Sequence, residues 1–149
     1  MQITPATPSD IPTLCELLDL LFSQEADFTP DHAAQARGLA SIIGDAGVGH
    51  ILVARREGRV QGMVSLLYTV STALGGRVAL LEDMVVTPEA RGDGLGSELL
   101  GRAIAWAREQ GCLRITLLTD QGNQTAQRFY LRHGFGPSAM IPLRLLLDA

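Results

Sequence analysis

The residues best suited to chemistry lie in a glycine-rich turn, Arg91-Gly92-Asp93-Gly94-Leu95-Gly96. A strand-like run, 78–86, precedes this turn, and an apolar stripe typical of an amphipathic helix follows it to about residue 110. The first main-chain N–H groups of a helix lack acceptors within the helix, and the helix dipole favours an anion beside them. Glycines allow phosphate groups to approach closely, and Arg91 adds a fixed positive charge. The turn is therefore predicted to bind a diphosphate, the alternative being a plain strand-to-helix turn that needs glycine only for its backbone angles.

Three phosphate-binding motifs can be compared with this turn. A P-loop is excluded because it needs lysine, and the chain contains none. A dinucleotide motif would begin directly after the strand, but residues 87–91 intervene here, and Ser97 stands where the third glycine would be. The third motif, Arg-x-x-Gly-x-Gly of acyl-CoA-binding transferases, is matched by Arg91, Gly94 and Gly96.

Composition limits the class of protein. The chain has 149 residues, 46% of them hydrophobic, and a mean hydropathy of +0.18, which predicts one domain over residues 1–149. No apolar run has the length of a membrane span, and no basic segment followed by an apolar one opens the chain, so we expect no membrane partner and a cytoplasmic location. Cys15 and Cys112 are far apart and match no disulfide or metal pattern, and we expect no metal.

The charge is uneven along the chain. The net charge of −4 comes entirely from residues 1–75, and no basic stripe is available for nucleic acid. An acidic half is compatible with a cationic small molecule or an amine-bearing peptide, although an ordinary solvated acidic surface would have the same composition.

The pattern of apolar residues predicts an α/β fold. Expected strands lie at about 2–6, 50–56, 60–70, 77–86, 113–119 and 141–147, and expected helices at 9–22, 29–43, 95–110 and 124–133, with a loop at 23–28. The strand–helix–strand order around the glycine turn makes strand 113–119 parallel to strand 77–86. The result is a mixed, mostly antiparallel sheet with helices on both faces.

The segment from Leu81 to Phe135 carries an ordered set of motifs. It reads Leu-Glu-Asp-Met-Val-Val-x-Pro-x-x-Arg-Gly-x-Gly-x-Gly, then Leu-Leu-Thr-Asp, Asn123, Phe129-Tyr130 and Gly134-Phe135. This set resembles the GNAT superfamily of acetyl-CoA-dependent N-acetyltransferases. The resemblance implies that the parallel strand pair splays apart, and that acetyl-CoA is the cosubstrate.

The resemblance also implies roles for individual residues in binding acetyl-CoA. The pantetheine arm pairs with main-chain groups of Met84, Val85 and Val86, and an N–H of Val85 or Val86 polarises the acetyl carbonyl. Asn123 bonds the CoA arm. The diphosphate binds to the turn and the start of the helix, at Arg91, Gly92, Gly94, Leu95, Gly96 and Ser97.

Two further residues are candidates for proton transfer. An alkyl amine has a pKa near ~10.4, so its neutral, nucleophilic form costs about 4 kcal/mol to reach at neutral pH. Glu82 is predicted to accept that proton; Asp83 is adjacent, but successive strand residues face opposite sides of a sheet. Tyr130 is predicted to protonate the leaving CoA thiolate. The alternatives are a surface or ion-paired Glu82 and a Tyr130 that only packs in the core.

The acceptor amine, of a small molecule or a peptide, is not specified by the sequence. The elements that shape its pocket in the family contain Phe22, Glu25, Asp27, Phe28, Tyr68 and Arg144. A homodimer is left open. Two other functions are also left open: a non-catalytic acyl-CoA-binding or sensing module, and a nucleotide-binding interaction domain, for which Asp120 is a loose match.

Overall fold

The computed structural model describes residues 1–23 and 29–147. Its helices and strands are β1 Gln2–Pro5, α1 Ile11–Phe22, α2 His32–Ile43, β2 Gly49–Arg56, β3 Arg59–Ser71, β4 Gly76–Val86, α3 Leu95–Glu109, β5 Ile115–Leu117 and α4 Gln124–Arg132. The chain divides into two compact units: residues 1–118 hold all five strands and the first three helices, and the unit from residue 119 onward holds α4. The assignment of one domain to residues 1–149 stays a prediction.

The five strands form one sheet in the order β1-β2-β3-β4-β5. Every neighbouring pair is antiparallel except β4 and β5, which are parallel as predicted. The β2–β3 hairpin closes through Glu57 and Gly58, both with positive φ (56° and 74°), as a two-residue hairpin turn of the primed type requires. The prediction of a mixed, mostly antiparallel sheet is confirmed.

Helices cover both faces of the sheet in the first unit. Ile51 and Val53 of β2 pack in a core cluster with apolar residues of α1 and α2. The opposite face lies under α3, because a Cβ placed on Gly62 of β3 would meet the side chains of Leu95 and Leu99 at 3.0 and 3.2 Å. The predicted helices on both faces are therefore confirmed. The face covered by α1 and α2 is called the α1–α2 side, and the face covered by α3 is called the α3 side.

The apolar stripe predicted for the helix after the glycine turn is its buried side. Leu95, Leu99, Leu100, Ala103 and Ala107 are at most 1% exposed. The helix ends before Gly111, whose φ of +81° is the left-handed conformation expected of a residue just past a helix C-terminus.

An ion pair fastens the start of α1 to the sheet. The Asp10 carboxyl, 7% exposed, accepts two hydrogen bonds from the Arg55 guanidinium at 2.9 and 2.5 Å and one from Thr7 N at 2.8 Å. The hydrogen bonds from Arg55 are the main reason that the pKa of Asp10 is lowered from its ordinary value.

The strand predicted at 141–147 is wrong. The segment forms no ladder with any strand in the described parts of the chain, and Ile141, Leu143, Leu145, Leu146 and Leu147 are 77–89% exposed. The apolar pattern carries no information about a pairing partner, and Pro142 cannot donate to a ladder.

Several boundaries also differ from the prediction. The strand expected at 113–119 is confined to β5, and α2 begins at His32 rather than residue 29, with Asp31 accepting the Ala34 N–H at 3.0 Å. Most of the expected loop, residues 24–28, lies outside the described residues.

Candidate active site

The two edges of β4 differ over its last residues. On one side β4 is paired with β3 to Val86, opposite Gly62. On the other side its parallel pairing with β5 ends at Leu81, opposite Leu117. Main-chain groups of Met84, Val85 and Val86 that face away from β3 therefore have no ladder partner among the strands of residues 1–118, and the parallel pair opens where the family resemblance implies.

A bulge in β4 lies at this opening. Ser65 is opposite Glu82 and Met63 is opposite Val85, so Asp83 and Met84 together face the single residue between them on β3. Asp83 has a φ of +53°, a conformation that Asp tolerates better than most residues.

The bulge changes which side of the sheet the two acids face. Ser65 and Met63 lie on the α1–α2 side, because Met63 belongs to the core cluster with these helices. Glu82, opposite Ser65, faces the same side, and the Asp83 carboxyl interacts with the Ser65 hydroxyl. The prediction that strand alternation separates the two acids is therefore wrong, because alternation fails at a bulge.

The two carboxyl groups have different environments. Glu82 is exposed and Asp83 is half-buried. Burial is the largest cause of a raised Asp83 pKa, followed by the Glu82 charge, and the pKa reaches about 6 from an ordinary 3.8. Ser65 Oγ acts in the other direction, but the two groups do not meet the geometry of a full hydrogen bond, and this buried hydroxyl has no partner among the described residues.

The glycine turn joins β4 to α3. After a short 3₁₀ turn at Pro88–Ala90, Gly92 and Gly94 adopt φ values of +89° and +77°, and α3 begins at Leu95. Leu95 is buried under the sheet, whereas Arg91 and Gly94 are exposed. There is open space around Gly92 and Gly94, and they lead into the N-terminus of a 15-residue helix. This arrangement fits a diphosphate.

Arg91 and Asp93 make contacts that bear on this fit. Arg91 Nε donates to the Val86 carbonyl at 3.3 Å, which holds its charge beside the end of β4. Asp93 would oppose an anion, but Arg56 Nη1 pairs with its carboxylate at 3.0 Å. Arg56 is not among the residues predicted from the sequence, because nothing in the local sequence signals a contact across 37 positions.

Two predicted residues lie in the unit from residue 119 onward. Asn123 Oδ1 accepts the Ala126 N–H at 3.0 Å and so begins α4, which leaves its Nδ2 amide group as a donor. Tyr130 packs edge-on against Phe129 and Phe135, and burial raises the pKa of its phenol. Its hydroxyl makes no hydrogen bond within the described part of the chain, and it stays protonated at neutral pH.

The residues named from the sequence for the acceptor pocket lie in different parts of the structure. Tyr68 faces the α3 side, opposite to the acid pair: its hydroxyl lies 2.6 Å from His50 Nδ1, and His50 packs against Trp106 of α3. Phe22 packs beside the α1–α2 core, and Arg144 is exposed in the segment that forms no strand. Glu25, Asp27 and Phe28 lie outside the described residues.

The described residues contain neither a cluster of metal ligands nor a helix that could span a membrane. Over residues 1–23 and 29–147, no group of three or more His, Cys, Asp or Glu side chains could hold a metal ion. In the same ranges no helix has both the length and the apolar character needed to cross a membrane.

The family model and two relatives that match this chain are all of acetyltransferases. The model of the Acetyltransferase (GNAT) family matches residues 12–135. An aminoalkylphosphonate N-acetyltransferase of Salmonella typhimurium is 32% identical, covering 92% of this chain and 86% of its own length. A glucosamine 6-phosphate N-acetyltransferase of Trypanosoma brucei brucei is 30% identical, covering 91% and 88%.

A solved structure agrees with these relatives. An integron cassette protein from the mobile metagenome of Cole Harbour Salt Marsh superposes with a TM-score of 0.86 at 27% identity, covering 99% of this chain and 91% of its own. With the open end of β4, the glycine turn and these relatives in agreement, the chain belongs to the acetyltransferase (GNAT) family and is an acyl-CoA-dependent N-acetyltransferase.

Proposed function

We propose that this enzyme transfers the acetyl group of acetyl-CoA to a primary amine of a small molecule, by direct attack while both substrates are bound. The observation that carries the proposal is the acid pair, Glu82 and Asp83. Both acids lie on the α1–α2 face of β4, at the point where the edge of β4 toward β5 loses its pairing. Two negative groups beside an open strand favour a cationic acceptor.

The proposed cosubstrate site follows the end of β4 into α3. Main-chain groups of residues 84–86 hold the pantetheine arm, and an N–H of Val85 or Val86 polarises the acetyl carbonyl. The turn and helix start at 91–97 hold the diphosphate, and the Asn123 amide group bonds the CoA arm. When bound, acetyl-CoA supplies the activated acetyl group.

Two proton transfers accompany the reaction. A carboxylate of the acid pair accepts the proton that the acceptor's ammonium group must lose, with Glu82 as the residue predicted from the sequence. Tyr130 donates a proton to the departing thiolate, since its raised pKa keeps the hydroxyl protonated. Holding the amine and the thioester together contributes as much as ~7–11 kcal/mol, so loss of either side chain leaves measurable turnover.

The acceptor class is supported by the names of relatives. The relative from Salmonella typhimurium acts on an aminoalkylphosphonate, and that from Trypanosoma brucei brucei on glucosamine 6-phosphate. A thialysine N-epsilon-acetyltransferase of Sus scrofa is 34% identical over 56% of this chain. All three names specify an amine on a small molecule, and the first two also specify a phosphonate or phosphate.

The test is acetyl-CoA-dependent thiol release with a panel of amines, with mass spectrometry of the product. The panel contains 2-aminoethylphosphonate, glucosamine 6-phosphate, thialysine and, to test for the phosphorus group, ethanolamine. We expect one of these amines to be acetylated. Tight CoA binding by calorimetry without turnover of any amine would favour the sensing module, and absence of CoA binding would overturn the assignment of residues 91–97.

A further inference from the structure

The Asp83 carboxyl owes its position to the bulge in β4. In a regular strand its side chain would face the α3 side, opposite to Glu82. The extra residue between Glu82 and Val85, with the positive φ of Asp83, places this carboxyl next to Ser65 on the α1–α2 side. A bulge that turns a side chain toward a site is a recurrent device near active sites.

Ser65 is the neutral side chain that faces the Asp83 carboxyl. Its residue is 0% exposed, and its Oγ has no hydrogen-bond partner among the described residues. A buried hydroxyl without a partner is costly, so it calls for an explanation. Facing the Asp83 carboxyl, its O–H can donate to the ionised carboxylate.

We infer that Asp83, and not Glu82, accepts the proton of the acceptor's ammonium group, with Ser65 as a positioning residue and Glu82 holding the ammonium group by its charge. The inference rests on the proposed function. The N–H proton passes to a carboxylate oxygen of Asp83, and the nitrogen lone pair forms the N–C bond to the acetyl carbon. The C–S bond breaks, the nitrogen gives up its second proton as the amide forms, and the CoA thiolate takes up one proton as it leaves.

Asp83 is better suited to accept a proton from an ammonium group than a carboxyl exposed to water would be. Its pKa of about 6 lies roughly 4 units below that of an alkyl ammonium at ~10.4. An ordinary carboxyl at 3.8 would lie more than 6 units below. The raised pKa therefore makes proton transfer on the order of 100-fold more favourable.

The groups around Asp83 define its titration. Glu82, on the same strand, is the charged group that raises the pKa, and Ser65 of β3 is neutral and lowers it. Among the described residues, no charged group on α1, α3 or β5 acts on this carboxyl. The pH dependence of the chemical step is thus expected to show the ionisation of Asp83, influenced by one charged neighbour, Glu82.

The test compares pH–rate profiles of single-turnover acetyl transfer for Asp83→Asn, Glu82→Gln and Ser65→Ala. Glu109→Gln, at the far end of α3, is the matched control. The acceptor is whichever of 2-aminoethylphosphonate, glucosamine 6-phosphate and thialysine the parent acetylates fastest. Asn suits a positive φ as well as Asp does, and circular dichroism with CoA calorimetry checks that each variant is folded.

The parent should show an acidic limb near pH 6. We expect Asp83→Asn to lose this limb and about 10²–10³-fold in rate at pH 7. Glu82→Gln should raise the acceptor concentration that gives the half-maximal rate and should keep the limb, but at lower pH, because the Glu82 charge raises the Asp83 pKa. Ser65→Ala should move the limb to higher pH, because Ser65 lowers the Asp83 pKa.

Two results would overturn the inference while leaving the proposed function intact. One is a limb that persists in Asp83→Asn and disappears in Glu82→Gln; the other is a folded Asp83→Asn variant with the parent's rate. A parent that acetylates none of the three amines would instead count against the proposed function.

Discussion

Replacing Asp83 by Asn should make the protein more stable at neutral pH, even though it is expected to impair the chemical step. The Asp83 pKa is raised to about 6 in the folded chain, mainly by burial. Ionising this carboxyl at pH 7 or 8 therefore costs more in the folded state than in the unfolded state. Asn has nearly the same shape, carries no charge and tolerates the positive φ at this position.

The size of the effect follows from the shift in pKa. A rise of the pKa from 3.8 to about 6, at about 1.36 kcal/mol for each pH unit, corresponds to about 3 kcal/mol at pH 8. The sign is that of a carboxyl with a raised pKa: its destabilising contribution vanishes well below pH 3.8, grows as the pH rises, and is nearly complete above pH 6. At pH 4 the contribution falls to about 0.5 kcal/mol.

The measurement is urea unfolding of the parent and Asp83→Asn at pH 8 and pH 4. We expect the variant to be about 2–3 kcal/mol more stable at pH 8, and nearly equal to the parent at pH 4. Glu109→Gln, an exposed acid on α3, should stay within about 0.5 kcal/mol of the parent at both pH values. A gain for Asp83→Asn that is the same at both pH values, or a loss at pH 8, would refute the assignment of a costly buried carboxylate.

Three other substitutions test separate parts of the molecule. Tyr130→Phe removes a hydroxyl with no hydrogen bond among the described residues, so turnover should fall about 10–100-fold while the unfolding midpoint stays constant; unchanged turnover would leave Tyr130 as a packing residue. Gly94→Ala puts a side chain at a φ of +77°, at a cost of about 1–2 kcal/mol, and calorimetry should show CoA binding weakened roughly tenfold. Gly101→Ala, on the exposed side of α3 with open space around the new Cβ, should bind CoA normally; equal losses in both variants would argue against the turn as the diphosphate site. Asp10→Asn should lower the free energy of unfolding by about 2–3 kcal/mol at pH 7, because it breaks the bidentate bond with Arg55. Since the Asp10 pKa is lowered from 3.8, that loss should persist down to about pH 5 and shrink below pH 3.8; a loss independent of pH would point to packing instead.

The sequence predicted the elements whose signals are local. The stripe of α3 repeats at helical spacing, and the strands expected at 50–56 and 60–70 are apolar runs with a short gap that contains glycine. The glycine turn was located because its residue types and its place between strand and helix are both local properties. These features need no knowledge of which segment packs against which.

The failures share a dependence on distant partners. A strand at 141–147 requires an edge to pair with, and the apolar pattern does not say whether one is available. The position of Tyr68 beside His50 on the α3 side also depends on the strand register. The pairing of Arg56 with Asp93 likewise depends on where β2 ends relative to the glycine turn.

The bulge at Asp83 is the failure with the greatest consequence for function. Strand periodicity assumes one residue per register position, and the extra residue opposite β3 leaves no mark in the residue types of Leu81-Glu82-Asp83-Met84. The same residue combines a left-handed backbone, which costs about 1–2 kcal/mol for an L-residue, with a carboxyl whose ionisation is unfavourable in the fold. Neither feature stabilises the protein, and Asn or Gly would relieve one or both. A position that keeps two unfavourable features beside the open end of β4 is better explained by proton transfer than by folding.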